Sequence, residues 1–222
     1  MIPWVELDRT KVPGDGAELR LLQRGGEFSI MAGPIALMNS RLTGSEIALA
    51  DVAAERLKGR KKCRVLIGGY GMGFTLRAAQ AGFAADAEIV VAELVPAILD
   101  WARGPMAELT GDSLNDPRVQ IYEGDVGAAI RAGAAQYDAI LLDVDNGPDG
   151  LSRAGNERLY NRGGLEAARK ALKPKGVLVV WSAAPDARFT ARLGYAGFKV
   201  DEVTARAHKG RGGRYVLWVA TK

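Results

Sequence analysis

Arg64-Val-Leu-Ile-Gly-Gly-Tyr-Gly-Met-Gly-Phe-Thr-Leu76 is the stretch on which the fold turns. An apolar run closes on Gly68, glycines recur at 69, 71 and 73, and helix-forming residues follow through Leu76 to Gln80. A strand, a glycine loop and a helix in that order let the backbone turn sharply and approach a ligand closely. A nucleoside is the natural occupant. Taken alone, the pattern also fits a tight strand-to-helix turn or a dinucleotide loop.

Downstream, short apolar runs recur at EIVVAE (88–93), RVQIYE (118–123), YDAILLD (137–143) and GVLVVWS (176–182). The stretches between them are helix-length with apolar spacing, the pattern of a parallel sheet covered on both faces. FKVDEVTAR (198–206) and RYVLWVATK (214–222) are joined by a loop too short for a crossover, so they pair antiparallel. The expectation is an α/β protein with a doubly wound, mostly parallel seven-stranded sheet closed by a C-terminal antiparallel hairpin. That is the class I AdoMet-dependent methyltransferase fold rather than a nicotinamide-binding sheet.

Upstream, ELRLLQ, Gly25-Gly26, EFSIMA, Gly33-Pro34 and IALM alternate strand and turn signals. Thr43 and Glu46 have the spacing of a capping box, and Ile47, Ala50, Ala54 and Leu57 fall on one helical face. A small N-terminal β extension over 1–42 and a main domain over 43–222 follow.

The 222 residues suffice for one large core, and 48% apolar with 25% charged residues is an ordinary globular balance. No apolar run nears the roughly 20 residues of a membrane span, and MIPWVELDRT lacks a signal-peptide layout. A cytoplasmic protein without a membrane partner is expected. One cysteine, Cys63, and one histidine, His208, cannot assemble a zinc site, so no metal is expected. The net charge of +4 gathers at Lys58–Arg64 and Arg206–Arg214. These read as a solvated helix-to-strand junction and a solvated hairpin loop, with nucleic acid the minority alternative.

Acidic residues then appear at successive strand ends. Glu93, followed by Leu94, ends the second strand, where a carboxylate accepts from both ribose hydroxyls. Asp125 follows the third strand and can accept from the adenine amine while the Val126 N–H meets a ring nitrogen; helix capping is its rival role. With Gly69, Tyr70, Gly71 and Gly73 these make a candidate adenosine site. Asp143-Val-Asp-Asn146 ends the fourth strand. A carboxylate there faces the reacting end of the ligand and can take a proton from an amine, although Asp, Asn, Gly and Pro also form turns.

From roughly Arg41 to Val180 the sequence resembles the spermidine synthase (polyamine aminopropyltransferase) family, a branch of the AdoMet methyltransferase fold. The likeness rests on the glycine loop with Thr75-Leu-Arg77, Val91-Ala-Glu-Leu94, Asn115-Asp-Pro-Arg-Val119 leading to Glu123-Gly-Asp125, Tyr137–Asp143, and Ala171-Leu-Lys-Pro-Lys-Gly-Val-Leu178. The resemblance implies that Glu93 holds the ribose, Asp125 the adenine, and Asp143 deprotonates the attacking amine. It also leads us to expect a homodimer or larger homo-oligomer. Three positions depart from the family pattern. Met72 stands where the family has an Asp that binds the aminopropyl ammonium, Asn146 replaces a second catalytic-loop acid, and Gly44-Ser45-Glu46 stands for Tyr-His-Glu.

Decarboxylated AdoMet and a diamine are both cationic and need protein acids to balance them, whereas AdoMet carries its own carboxylate. The leading expectation is therefore a small-molecule methyltransferase using S-adenosylmethionine, with Asp143 and Asn146 catalytic and Glu46 and Asp145 toward the small-molecule acceptor. An aminopropyltransferase, with Asp145 or Asp149 supplying the missing acids, comes second; methylthioadenosine would be a ligand of either. The third reading is a non-catalytic nucleoside- or RNA-binding protein.

Overall fold

The computed structural model describes residues 2–14, 16–144, 157–208 and 211–222. Among these the strands form two sheets. The first is antiparallel, β1 (Val5–Lys11), β2 (Glu18–Arg24), β3 (Glu27–Ala32) and β4 (Ile35–Asn39) in sequence order. Gly25 and Gly33 take positive φ in its two tight turns. Strand β1 did not announce itself in the sequence, because VELDRTK is an exposed edge strand with little buried alternation.

The second sheet is built from β5 (Arg64–Gly68), β6 (Glu88–Glu93), β7 (Val119–Glu123), β8 (Tyr137–Leu142), β9 (Leu172–Ser182), β10 (Lys199–His208) and β11 (Arg211–Thr221). Its order is β7-β6-β5-β8-β9-β11-β10. The first five run parallel, and β11 lies antiparallel to both β9 and β10. This is the expected doubly wound sheet with its closing hairpin. Val65, Leu66, Ile67, Ile140, Leu141 and Val179 are fully buried, as β-branched and leucine runs must be when both faces are covered.

Helices α1 (Gly44–Arg56), α2 (Phe74–Gly82) and α3 (Pro96–Arg103) cover one face, and they share their core with Leu21 and Ile30 of the N-terminal sheet. The short α4 (Ala107–Thr110) follows α3. On the other face α5 (Val126–Arg131), α7 (Arg162–Ala171) and α8 (Ala187–Tyr195) pack Ile130, Leu165 and Phe189 against the sheet; the short α6 (Glu157–Tyr160) precedes α7. Each such buried side chain contributes roughly 1.5–3 kcal/mol.

Helix α1 corrects the sequence reading in two ways. Its inward face is Leu49, Ala50 and Ala53, with Leu57 buried just beyond, while Ile47 is exposed. Thr43 has near-helical dihedrals and makes no side-chain cap, so no capping box forms. Glu46 lines a cavity instead, its carboxylate 3.3 Å from the Ser45 hydroxyl.

At the opposite end of the sheet Asp138, 3% exposed, anchors the core. Its carboxylate accepts from the Arg64 N–H at 2.8 Å, lies 2.6 Å from Lys173 Nζ and 3.1 Å from Arg60 Nη1. Arg60 and Arg64, members of the first basic cluster, are thus engaged within the fold, Arg64 also with Glu88 at 3.1 Å. Among the described residues no helix is long and apolar enough to cross a membrane.

Candidate functional site

A cavity of about 680 Å³ lies outside the carboxyl ends of the parallel strands, roofed by the N-terminal sheet. Its place follows from topology, since ligands of open parallel sheets bind where the strands end. Strand order spreads the sequence motifs along its floor: Asp125 after β7, Glu93 on β6, Gly69 and Gly71 after β5, Asp143 after β8, then Trp181 on β9 and Tyr215 on β11. With strands about 4.8 Å apart, Glu93 and Asp143 stand roughly 10 Å apart across the sheet.

The glycine loop is shaped for close approach. Gly69 and Gly71 have φ of 85° and 57°, and a Cβ on Gly71 would collide with the Met38 side chain of β4. Glu93, 5% exposed, organises the loop. Its carboxylate accepts from the Tyr70 N–H at 2.9 Å and the Val95 N–H at 2.8 Å. Burial pushes its pKa up, and the backbone donors pull against that. The Gly71 and Leu94 N–H groups also favour its charged form, so the loop backbone surrounds this carboxylate.

Asp125 fills the capping role and also faces the cavity. Its side chain caps α5 by accepting from the Gly127 N–H at 2.6 Å, and it also lines the cavity with Val126. Its other oxygen lies 3.9 Å from Arg131.

At the far end Asp143 and Glu46 face the same space. Burial first, then repulsion from Glu46, raises the Asp143 pKa to about 7. The Thr75 hydroxyl favours its charged form and lies 3.4 Å from the Glu46 carbonyl oxygen. Burial likewise raises Glu46, whose carboxylate lies 3.3 Å from the Ser45 hydroxyl. A carboxyl group with a pKa near neutrality suits proton removal from an amine.

Of the residues singled out in the sequence, Gly69, Gly71, Glu93, Leu94, Asp125, Val126, Glu46 and Asp143 come together around this cavity. Tyr70 and Gly73 do not line it. The Tyr70 ring is buried, its hydroxyl 3.1 Å from Ser113, and only its backbone N–H serves the site, through Glu93. Met72 is 2% exposed and belongs to the core, so its side chain does not meet a ligand. Asp145, Asn146 and Asp149 lie outside the described residues. The sequence reading missed the roof, including Leu37, Met38 and Leu42, and the Trp181 and Tyr215 pair. Those residues read as ordinary strand apolars, and only tertiary structure brings them to the cavity. Among the described residues no cluster of His, Cys, Asp or Glu is arranged for a metal ion.

Known proteins agree with this architecture. Over 98% of the chain superposes on a spermidine synthase crystallised with the transition-state analogue AdoDATO, with a TM-score of 0.77 and 18% identity, covering 72% of that chain. Spermidine synthase from Thermotoga maritima gives 0.74 and 16%, again over 98% of this chain and 72% of that one. In sequence the chain is 33% identical over 123 residues to polyamine aminopropyltransferase 1 of Streptomyces coelicolor, 54% of this chain and 22% of that protein. It is 35% identical over 116 residues to putrescine N-methyltransferase 2 of Nicotiana attenuata, 52% of this chain and 29% of that protein. The chain thus spans under a third of the length of these two curated relatives. Residues 46–188, which carry the glycine loop and every strand-end acid described above, match the model of the spermine/spermidine synthase domain, and the chain belongs to that family.

Proposed function

We propose that the protein is a transferase that moves an alkyl group from an adenosyl sulfonium to a small amine, with methyl transfer from S-adenosylmethionine as the first reading. One observation carries the sulfonium. The described residues around the cavity include Glu46, Glu93, Asp125 and Asp143 but no Lys, Arg or His. A cationic ligand is favoured there, and the diphosphate of a dinucleotide would be repelled.

Glu93 would accept from the ribose and Asp125 from the adenine, and the sulfonium would lie between the glycine loop and Asp143. In the transfer step the amine lone pair attacks the carbon bound to sulfur, the carbon–sulfur bond breaks toward sulfur, and the amine proton passes to the Asp143 carboxylate. The rate gain comes mainly from alignment of the reacting atoms. Charge balance favours AdoMet, whose carboxylate and ammonium offset one another, over a donor bearing a second net positive charge. Asp143 and Glu46 repel each other, and burial with that repulsion disfavours their both being charged.

Aminopropyl transfer from decarboxylated AdoMet is the second reading. It is favoured by the lack of a cationic side chain, among the described lining residues, to meet the carboxylate of AdoMet. Calorimetric titration with AdoMet, decarboxylated AdoMet, methylthioadenosine and NAD tests both. AdoMet or methylthioadenosine should bind and NAD should not; tighter binding of NAD than of every adenosyl compound would overturn the proposal. Tighter binding of the decarboxylated donor than of AdoMet would select the second reading.

A further inference from the structure

We infer that the Asp116-Pro-Arg118 turn and the Tyr70 side chain are positioning elements for the donor end of the cavity. A hydrogen-bonded strut runs from that turn through α2 and Ser113 to the glycine loop, and it holds Glu93 in place to accept from a ribose. This rests on the reading of Glu93 as the ribose acceptor.

The strut begins just ahead of β7. The Asp116 carboxylate accepts from the Arg118 backbone N–H at 2.9 Å and from its guanidinium at 2.7 and 3.0 Å, which fixes the planar fork. The same guanidinium donates to the Gln80 carbonyl at 3.0 Å, in the last turn of α2, where carbonyls lack a helical partner and a cation is favoured. The Gln80 carboxamide in turn donates to the Ser113 carbonyl at 2.8 Å. The buried Ser113 and Tyr70 hydroxyls lie 3.1 Å apart, and the Tyr70 N–H ends on Glu93 at 2.9 Å.

The glycine loop needs such an anchor. Gly69, Gly71 and Gly73 all take positive φ, and three glycines in five residues leave the free chain many conformations. Glu93 is held only as firmly as its donors, two of which, the Tyr70 and Gly71 N–H groups, belong to this loop. Tyr70 ties it down at both ends of the side chain. Its carbonyl accepts from the Gly73 N–H at 2.9 Å, and its ring lies so close under Gly73 that a Cβ there would come within 2.8 Å of the hydroxyl. Phenylalanine would fill the same space, so packing alone does not call for the hydroxyl, which costs free energy when buried unless it is bonded. The strut also gives a role to Asn115-Asp-Pro-Arg-Val119, a sequence signature that stands outside the described lining of the cavity.

The test uses Tyr70→Phe, Ser113→Ala and Arg118→Lys, the last of which keeps the charge and loses the fork. In the protein alone, the amides of residues 70 and 71 should exchange hydrogen at least about fivefold faster in Tyr70→Phe and in Arg118→Lys, the factor expected for one buried hydrogen bond. Residues 139–142 of β8 should keep their wild-type rates. Unchanged exchange in the loop in either variant overturns the inference, and so does equal acceleration in β8, which would mark a general loss of stability. Combining Tyr70→Phe with Ser113→Ala should add nothing to either single change; additive effects would show that the two hydroxyls are not coupled.

Ligand binding gives the second readout, with methylthioadenosine and its 2′,3′-dideoxy analogue titrated into each protein. Tyr70→Phe and Arg118→Lys should weaken methylthioadenosine several-fold and the analogue less than about twofold, because the contact disturbed is the one to the ribose hydroxyls. Equal losses for the two ligands overturn the inference. A wild-type protein indifferent to the hydroxyls counts against Glu93 as the ribose acceptor, while exchange in the protein alone still decides whether the strut holds the loop.

Discussion

The carboxylates of Glu46, from the first turn of α1, and Asp143, from the end of β8, repel each other across the cavity, and with burial they hold the Asp143 pKa at about 7. Two acids that are 97 residues apart in the chain are thereby coupled as one titrating unit. Transfer to an amine should rise with pH through neutrality as Asp143 loses its proton. Glu46→Gln removes the repulsion, so Asp143 ionises at lower pH and the rising limb of kcat/KM moves to the acid side. A pH profile between about 5.5 and 8.5 checks both statements. A limb that stays in place in Glu46→Gln would show that the two acids do not interact.

Asp143 also sets stability against activity. Its folded pKa lies above its ordinary value of 3.8, so between about pH 4 and pH 7 the folded state binds more protons than the unfolded state. The contribution of this group is then fully present below the lower value and is lost as pH rises through the higher one. Asp143→Asn should raise the Tm of the ligand-free protein at pH 8, by roughly 2–4 °C for each kcal/mol relieved. It should also cut transfer about 10²- to 10⁴-fold. Thermal melts at pH 5 and pH 8 separate the effects, because the gain should shrink at pH 5.

Glu93→Ala should weaken methylthioadenosine binding by about 1–3 kcal/mol, the cost of losing charged hydrogen bonds. The Tyr70 and Val95 N–H groups lose their acceptor as well, so the loop should exchange amide hydrogen faster. Hydrogen exchange at residues 69–73, read beside a binding isotherm, gives the two parts separately.

Asp138→Asn should destabilise the fold by about 2–4 kcal/mol, because it leaves Lys173 and Arg60 facing a neutral amide in a buried setting. Asp138 sits at the far end of the sheet from the cavity. Denaturant unfolding should show the loss, while the nucleoside affinity of the folded fraction stays at the wild-type value.

Met72→Asp should act on folding and not on donor choice. The side chain is 2% exposed, so a carboxylate there is buried without a partner and costs about 3 kcal/mol or more. Met72→Leu, which keeps shape and polarity, should stay within about 1.5 kcal/mol of wild type. Chevron or equilibrium urea curves for the pair measure the contrast.

These substitutions also mark what the sequence made legible. Strands β5 to β8 stood out because each is an apolar run that ends at, or is followed at once by, glycine or an acid, and such runs report burial directly. Glu93, Asp125 and Asp143 were visible because strand ends and ligand sites coincide in parallel sheets. Met72 misled because position in a motif was taken for position in space: within the glycine loop, neighbouring residues point in opposite directions, Gly71 to the cavity and Met72 to the core. The α1 register slipped because several alanines offer alternative apolar faces of similar strength. Leu37 and Trp181, far apart in the chain, share a cavity only through the way one sheet lies over another, and no local pattern encodes that.

The roof of the cavity belongs to the N-terminal sheet, which has its own hydrogen-bonded ladder, whereas Glu93, Asp125, Asp143 and the glycine loop hang from the ends of the other sheet. Inheritance can therefore work on the two separately. Substitutions at Leu37, on β4, or at Leu42, in the turn after it, change the shape and charge facing one side of the chamber, whereas Met38 packs directly over Gly71 and is tied to the loop. A lineage with this scaffold can trade one small molecule for another by point changes in a few roof residues, while the strand-end acids proposed to hold the nucleoside are carried forward intact.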